Sequence, residues 1–400
     1  MERDTMKKVD AILVGIGGYG LNYLREMLDD TKGKINLVGA VDPYAENCPY
    51  INEVKERNIP IYPNMDSFYA EHTADLAVIS TPILFHTDNI ITALKNGSHV
   101  LCEKPLCADE EEVARIIEAR DRSGKFVYIG FQRPYSSAIT KLKADILAGK
   151  YGEMKSMRQI AMRPRDPWYY GRGIGWAGKL RTADGKAVYD SVANNAEAHY
   201  LFEMFYLMGG LNEAETPENV TAELMRVNDI ENFDTVNMQF TLKGKPCMFL
   251  ASHATEKEIE PVFEYLFENG VVYYGKRDTE WAHQLLPEDY TEYGFVVGYM
   301  NDGERIVYGD PMAEVYNKLY AAVDAVLEGR CDNGPCGVET AAVQTYVINK
   351  IQKENEILTY KKDMVRYFEA EYGHYFGEGL YERLLDIYYG KADSIRDLAQ

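Results

Sequence analysis

The stretch V-D-A-I-L-V-G-I-G-G-Y-G, Val9 to Gly20, decides the fold of this chain. Its apolar run, Ala11 to Val14, reads as a buried strand. The run breaks at Gly15-Ile16-Gly17-Gly18-Tyr19-Gly20 and restarts with Leu21, Leu24, Met27 and Leu28 on one helical face. In a strand–turn–helix of this kind, Gly15 allows the tight turn and Gly17 lets the backbone approach a pyrophosphate. Gly20 lets the helix pack closely on the strand. Free N–H groups at the helix start then face the phosphate oxygens. A second strand, Ile35 to Val41, ends in Asp42, 22 residues after Gly20. A carboxylate at that distance is placed to hold the hydroxyls of an adenosine ribose.

Asp42 also bears on which dinucleotide is bound. A carboxylate accepts hydrogen bonds from a ribose 2′-OH and repels a 2′-phosphate. The next residues, Pro43, Tyr44, Ala45 and Glu46, include no Arg or Lys to hold that phosphate. NAD is therefore expected, in preference to NADP.

From Ala11 to about Gly130, strand and helix patterns alternate. Strands are legible at Ile35–Val41, Ala74–Ser80, His99–Glu103 and Phe126–Gly130, and the clearest helices at Asn89–Lys95 and Glu110–Ser123. Alternation predicts a parallel sheet with helices on both faces, whose ligands gather outside the carboxyl ends of the strands. Gly15, Asp42, Ser80-Thr81-Pro82 and Glu103-Lys104-Pro105 all fall at such ends. The texture then changes. Pro134 to Lys150 looks helical, an irregular aromatic and basic segment follows, and a helix is expected around His199. Asn219–Val227, Thr235–Leu242 and Pro246–His253 alternate with period two, and Glu264–Tyr274 reads as a hairpin about Glu268-Asn269-Gly270. Helical patterns return at Met312–Leu327, Val338–Lys353, Lys362–Ala370 and Gly379–Tyr388. The expected organisation is an N-terminal dinucleotide-binding domain over 1–130. An α+β domain over 131–400 follows, carrying an antiparallel sheet and a C-terminal extension from about 354.

The 400 residues suffice for two such cores. A net charge of −20 argues against nucleic acid and anionic membranes, and no apolar run approaches the length of a membrane span. The N-terminus runs straight into the first strand, which leaves no room for a secretory leader. The six cysteines lack metal-ligand spacing, and the seven histidines are dispersed. A reduced, cytoplasmic protein with no structural metal is expected.

Three groups of residues suit chemistry. Lys104 lies where the nicotinamide of a bound cofactor is expected and can polarise a substrate hydroxyl. Desolvation beside a cationic ring would lower its pKa toward that of a useful base. In Y-D-S-V-A-N-N-A-E-A-H, Tyr189 to His199, an unbroken helix would put Asn195 and His199 on one face. The imidazole could take a hydroxyl proton while Asn195 orients the substrate. Finally, Lys155 to Lys186 concentrates Arg158, Arg163, Arg165, Arg172, Lys179 and Arg181 within an acidic chain, alongside Trp168, Tyr169, Tyr170 and Trp176. Flat rings beside forked donors suit a sugar or an anionic polyol; a subunit contact or a solvated arm would use the same residues.

These features resemble the Gfo/Idh/MocA family, which includes glucose-fructose oxidoreductase and inositol 2-dehydrogenase. The resemblance rests on G-I-G-G-Y-G, on A-V-D at Ala40 to Asp42, and on S-T-P-I-L-F-H at Ser80 to His86. It continues through A-L-K-N-G-S-H-V-L-C-E-K-P-L at Ala93 to Leu106, G-F-Q-R-P-Y at Gly130 to Tyr135, and A-G-K-Y-G-E at Ala148 to Glu153. It implies a Rossmann domain followed by an α+β domain with a large, mainly antiparallel open sheet, and a homodimer or homotetramer. It also implies NAD(P)-dependent oxidation of a sugar or cyclitol hydroxyl. Cofactor contacts are then expected from Gly15 to Gly20, Asp42, Ser80, Thr81, Pro82, His86, Glu103 and Lys104. Catalysis is expected from Lys104, His199 and Asn195, and substrate contacts from these with Arg163, Trp168, Trp176 and Asp190. The family usually carries Asp and His four apart on the second-domain helix, whereas this chain has Asn195 before His199. Asp190 or Glu197 could compensate for that departure. Two other functions fit the same residues. One is a glycoside-cleaving enzyme that oxidises, eliminates and reduces with a tightly held NAD; the other is a dinucleotide sensor that has lost catalysis.

Overall fold

The computed structural model describes residues 7–172, 175–277 and 279–400. It divides into two units, Met1–Tyr135 with Glu314–Ala342, and Ser136–Ala313 with Val343–Gln400. The return of residues 314–342 to the first unit was not foreseen.

The first unit is built on a parallel sheet of β1 (Val9–Val14), β2 (Ile35–Val41), β3 (Ile61–Tyr62), β4 (Leu76–Ile79), β5 (His99–Cys102) and β6 (Val127–Ile129), in the order β3-β2-β1-β4-β5-β6. Helices α1 (Gly20–Asp29), α2 (His86–Lys95) and α3 (Glu110–Ser123) alternate with the strands. The strand order reverses between β1 and β4, so a crevice opens at their carboxyl ends. The strands read as continuous apolar runs because helices cover both faces. Helix Asn317–Leu327 joins the same core, where Leu319, Tyr320, Val323 and Ala325 are buried with Leu13, Leu24, Val78 and Phe126.

The second unit holds a nine-stranded sheet. Its strands are β7 (Met154–Met162), β8 (Glu218–Arg226), β9 (Thr235–Leu242), β10 (Lys245–Ser252), β11 (Ile259–Phe267), β12 (Gly270–Gly275), β13 (Val296–Met300), β14 (Arg305–Gly309) and β15 (Ile357–Thr359). Their order is β14-β13-β12-β11-β7-β10-β9-β8-β15. Pairing is antiparallel except at β7–β10 and β8–β15. The central strand, β7, lies in the segment that looked irregular, because Arg158 and Gln159 interrupt its apolar alternation. The expected helix Lys362–Ala370 is instead one short turn and a strand, Val365–Phe368, paired with His374–Gly377. Residues beyond 354 are part of the second core. Tyr360, Leu380, Leu384, Ile387 and Ile395 are buried with Ile160, Met162, Leu250 and Val262.

Candidate functional site

The first unit lines up a row of residues along one sheet edge. Each strand-end residue donates its N–H to the last carbonyl of the neighbouring strand: Asp42 to Tyr62 at 3.0 Å, Gly15 to Val41 at 2.8 Å, Ser80 to Val14 at 2.7 Å, Glu103 to Ile79 at 2.8 Å and Gly130 to Cys102 at 2.7 Å. Parallel pairing thus carries the strand ends into one shared rim.

Within that rim the glycines separate into two roles. Gly15 has φ +85°, and a Cβ there would lie 2.7 Å from the Ser80 carbonyl oxygen. A Cβ on Gly20 would lie 2.0 Å from the carbonyl oxygen of Gly15. These two residues let the turn close and α1 pack. A Cβ on Gly17 or Gly18 would meet nothing within 4 Å, so this part of the loop presents bare backbone to open space, as a pyrophosphate requires. Asp42 is half-buried; its two oxygens accept from Ile16 N at 3.0 Å and Tyr44 N at 2.8 Å. Each oxygen keeps a lone pair for a ribose hydroxyl. The residues present therefore fit a dinucleotide.

The other rim residues have specific partners. His86 is 1% exposed, with Nδ1 2.8 Å from Pro105 O and Nε2 2.9 Å from Thr81 O. It clamps the loop after β4 to the loop after β5. Burial lowers its pKa against the hydrogen bonds to Thr81 and Pro105, so the ring is neutral and donates to only one of the two carbonyls at a time. Thr81 Oγ1 accepts from Asn89 Nδ2 at 3.1 Å, and Pro82 leads into the turn Ile83–Phe85.

Glu103 is buried and accepts from Tyr23 Oη at 2.6 Å and from Lys318 Nζ; its second oxygen accepts from Lys104 N at 3.2 Å. Lys318 is also buried and reaches Gly130 O at 3.2 Å and the Tyr19 ring at 4.6 Å. Burial pulls the Lys318 pKa down, but Glu103 and Tyr19 outweigh it and the net direction is up. Lys104 is half-buried, beside the Glu103–Lys318 pair and ahead of a cis peptide to Pro105. Lys318 escaped the sequence reading because it lies some two hundred residues from the motif it supports. The lysine in N-K-L-Y-A-A-V, on the apolar face of a helix, was the one available signal.

In the second unit the segment around Asp190 is tightly tied. Tyr189 adopts φ +46°, an uncommon conformation for a bulky residue. Asp190 Oδ2 accepts from Gly178 N at 2.6 Å and Oδ1 from Asn195 Nδ2 at 2.8 Å, while Asn232 Nδ2 donates to Asp190 O at 2.9 Å. The Asn195 amide is thereby oriented by Asp190. The helix expected through Asn195 and His199 is broken. Val192–Ala196 forms a π turn capped by Ser191, Glu197 lies outside helical geometry, and a separate helix runs Ala198–Met208. The spacing of four therefore does not place Asn195 and His199 on one continuous face.

Glu197 is fully buried at this break and accepts from Arg163 Nη1 at 3.3 Å. Burial raises its pKa, opposed by Arg163 and Arg165. Trp168 is 76% exposed, whereas Trp176 is half-buried with the Arg172 guanidinium 5.3 Å from its ring. His253, which drew no attention in the sequence, is buried at the end of β10. Burial, with Arg165, Arg163 and Arg172 nearby, pushes its pKa well down.

Among the described residues, no group of three or more His, Cys, Asp or Glu is placed to hold a metal ion, and no helix is long and apolar enough to cross a membrane.

A parallel sheet in this order, with a glycine cradle at the reversal and an acid after β2, defines a dinucleotide-binding protein of the Rossmann type. Residues 9–131 match the model of the oxidoreductase family with an NAD-binding Rossmann fold, GFO_IDH_MocA, so the first part of the chain is similar to that family. Among curated relatives, 2,7-anhydro-N-acetylneuraminate hydratase of Mediterraneibacter gnavus is 26% identical over 59% of this chain and 59% of its own length. Inositol 2-dehydrogenase of Salmonella typhimurium is 29% identical over 35% of this chain and 42% of its own. The chain thus spans about half the length of these relatives. Among solved structures, the WlbA dehydrogenase of Bordetella pertussis in complex with NADH and UDP-GlcNAcA has TM-score 0.66 at 19% identity, covering 87% of this chain and 97% of that one. It shares the fold.

Proposed function

We propose that this chain is an NAD-dependent dehydrogenase that oxidises a hydroxyl of a sugar, sugar derivative or cyclitol. The observation that carries the proposal is the shared rim, which sets Lys104 on the same sheet edge as the bare Gly17–Gly18 backbone and Asp42. Bound NAD supplies the hydride acceptor. Gly17 and Gly18 leave room for its pyrophosphate, Asp42 holds the ribose hydroxyls, and Ser80 to Pro82 shape the cleft beside them. Asp42 favours NAD over NADP because it would face a 2′-phosphate with like charge. Lys104 is the acid–base group of the first unit, kept in place by its backbone bond to Glu103. His199 is the one the second unit offers, with Asn195 orienting substrate under the control of Asp190. A homo-oligomer is part of the same reading.

Supporting this choice of substrate class are relatives such as the inositol 2-dehydrogenases. The hydratase relative favours one alternative, an enzyme that keeps NAD and returns the hydride within each cycle. A screen of sugars, cyclitols and aryl glycosides, following NADH formation and aglycone release together, separates the two. The dehydrogenase accumulates NADH, and the recycling enzyme releases aglycone without it. Lys104→Met is expected to lower kcat by roughly 10²–10⁴-fold with NAD binding retained. Unchanged kcat would remove Lys104 from the reaction.

A further inference from the structure

The second unit carries a cationic cluster that narrows the substrate class, on the basis of the function proposed above. β7 and β10 run parallel as far as Met162 and Ser252, and the pairing continues beyond both strands. Arg163 N donates to Ser252 O at 2.8 Å and Arg165 N to His253 O at 3.0 Å. Arg163, Arg165 and His253 thereby meet at one end of the sheet. The short helix Pro167–Gly171, capped by Asp166, sets Tyr169 edge-on to the His253 ring at 5.5 Å. The guanidinium carbons of Arg165 and Arg172 lie 4.8 and 3.6 Å from the centre of the Tyr169 ring.

The acids nearby are engaged elsewhere. Arg163 faces Glu197 at 3.3 Å and Glu260 at 3.8 Å, and Glu260 also meets Lys276 at 2.9 Å and Arg277 at 3.5 Å. Asp190 is taken up by Gly178 and Asn195. Neither Arg165 nor Arg172 forms an ion pair among the described residues. His253 is 2% exposed and its Nε2 has no hydrogen-bond partner; the buried Arg165 Nε and Tyr170 Oη likewise have none. Arg165 shares the field of the buried Glu197 with Arg163. Two guanidiniums held on one ring, with no carboxylate at ion-pair distance among the described residues and beside buried polar atoms without partners, make a site suited to an anion.

We propose that Arg165 and Arg172 bind a compact oxyanion, carboxylate or phosphate, carried on the sugar substrate, with His253 and Tyr170 hydrogen-bonding to its hydroxyls. The test uses the whole protein with NAD and three probes: glucose, glucuronate and glucose 6-phosphate. Calorimetric titration of the wild type should show one charged sugar binding about tenfold or more tightly than glucose, the margin of a charge-assisted hydrogen bond. Which one binds distinguishes carboxylate from phosphate. Arg165→Gln and Arg172→Gln should each abolish that margin, and Arg172→Lys should restore part of it. Should Arg165→Gln fail to fold, Arg172→Gln at the half-exposed end of its helix carries the test. Equal binding of glucose and both charged sugars, no binding of either charged sugar, or a margin that survives Arg172→Gln would each overturn the proposal. NAD quenching and NADH formation are read in parallel. A protein that binds charged sugars by this pattern yet never forms NADH would refute the dehydrogenase reading and leave the anion site standing.

Discussion

Replacing Lys318 by Met tests whether the rim depends on the buried pair behind it. The Lys318 side chain is 1% exposed and that of Glu103 9%. Removing the cation leaves a buried carboxylate with Tyr23 Oη and Lys104 N as its donors among the described residues. Breaking a buried pair from one side costs about 3–5 kcal/mol, because the remaining charge is uncompensated. In a domain of this size, each kcal/mol shifts Tm by about 2–4 °C, so the first unit should melt roughly 6–20 °C lower. The double variant Glu103→Gln with Lys318→Met removes both charges and should recover most of that loss, since an uncharged pair of similar volume needs no counter-ion. Calorimetry and urea titration read the stability, and NAD quenching reports whether the rim survives. A Lys318→Met protein within about 1 kcal/mol of wild type would refute the argument. So would a double variant no more stable than the single one.

The two roles assigned to the glycines predict opposite phenotypes. Gly17→Ala should leave stability within about 0.5 kcal/mol, as its Cβ meets nothing, and weaken NAD binding. Gly20→Ala should destabilise the first unit before any ligand is added, read by urea titration. Asp42→Ala should weaken NAD binding by about tenfold or more while sparing NADP, measured by fluorescence quenching of each cofactor; parallel losses of both would show that Asp42 only shapes the loop. Burial lowers the pKa of His86, His99 and His253, that of His99 from 6.5 to about 4. The native state then keeps these rings neutral while the unfolded chain takes up protons. Their contribution is complete above pH 6.5 and is lost as pH falls below it. The urea midpoint should drop between pH 7 and pH 5, and the His99 ring should titrate near 4 by NMR.

The rim was legible because its determinants are local. A glycine turn, a strand ending in acid and E-K-P each declare themselves within a dozen residues, and parallel pairing does the rest. What stayed hidden depends on register and return. Lys318 reaches Glu103 only because residues 314–342 come back to the first unit. His253 joins Arg163 and Arg165 only because β7 and β10 share an end. No spacing rule shows either contact.

The break at Glu197 shows how the spacing of a motif can mislead about its geometry. The run from Val192 to Met208 is apolar enough to read as one helix, and its residues would favour one. Asp190, however, accepts from Gly178 N and from Asn195 Nδ2, while Asn232 Nδ2 donates to the Asp190 carbonyl and Asn194 Nδ2 to the Tyr189 carbonyl. Satisfying a buried carboxylate outranks continuing a helix, because an unmet charge costs several kcal/mol and a lost helical bond about 1 kcal/mol. The chain therefore widens into a π turn, as helices often do at functional sites, and Glu197 is left to pair with Arg163 instead of facing solvent. The same exchange accounts for an amide, and not a carboxylate, at Asn195. With Asp190 already on Asn195's donor side, a second acid at that position would face like charge at hydrogen-bond distance. Asn195→Asp is accordingly expected to destabilise the second unit at neutral pH and to regain stability when Asp190 is also replaced by Asn. A single variant as stable as wild type at pH 7 and above would show that the amide is not there to spare Asp190 a like charge.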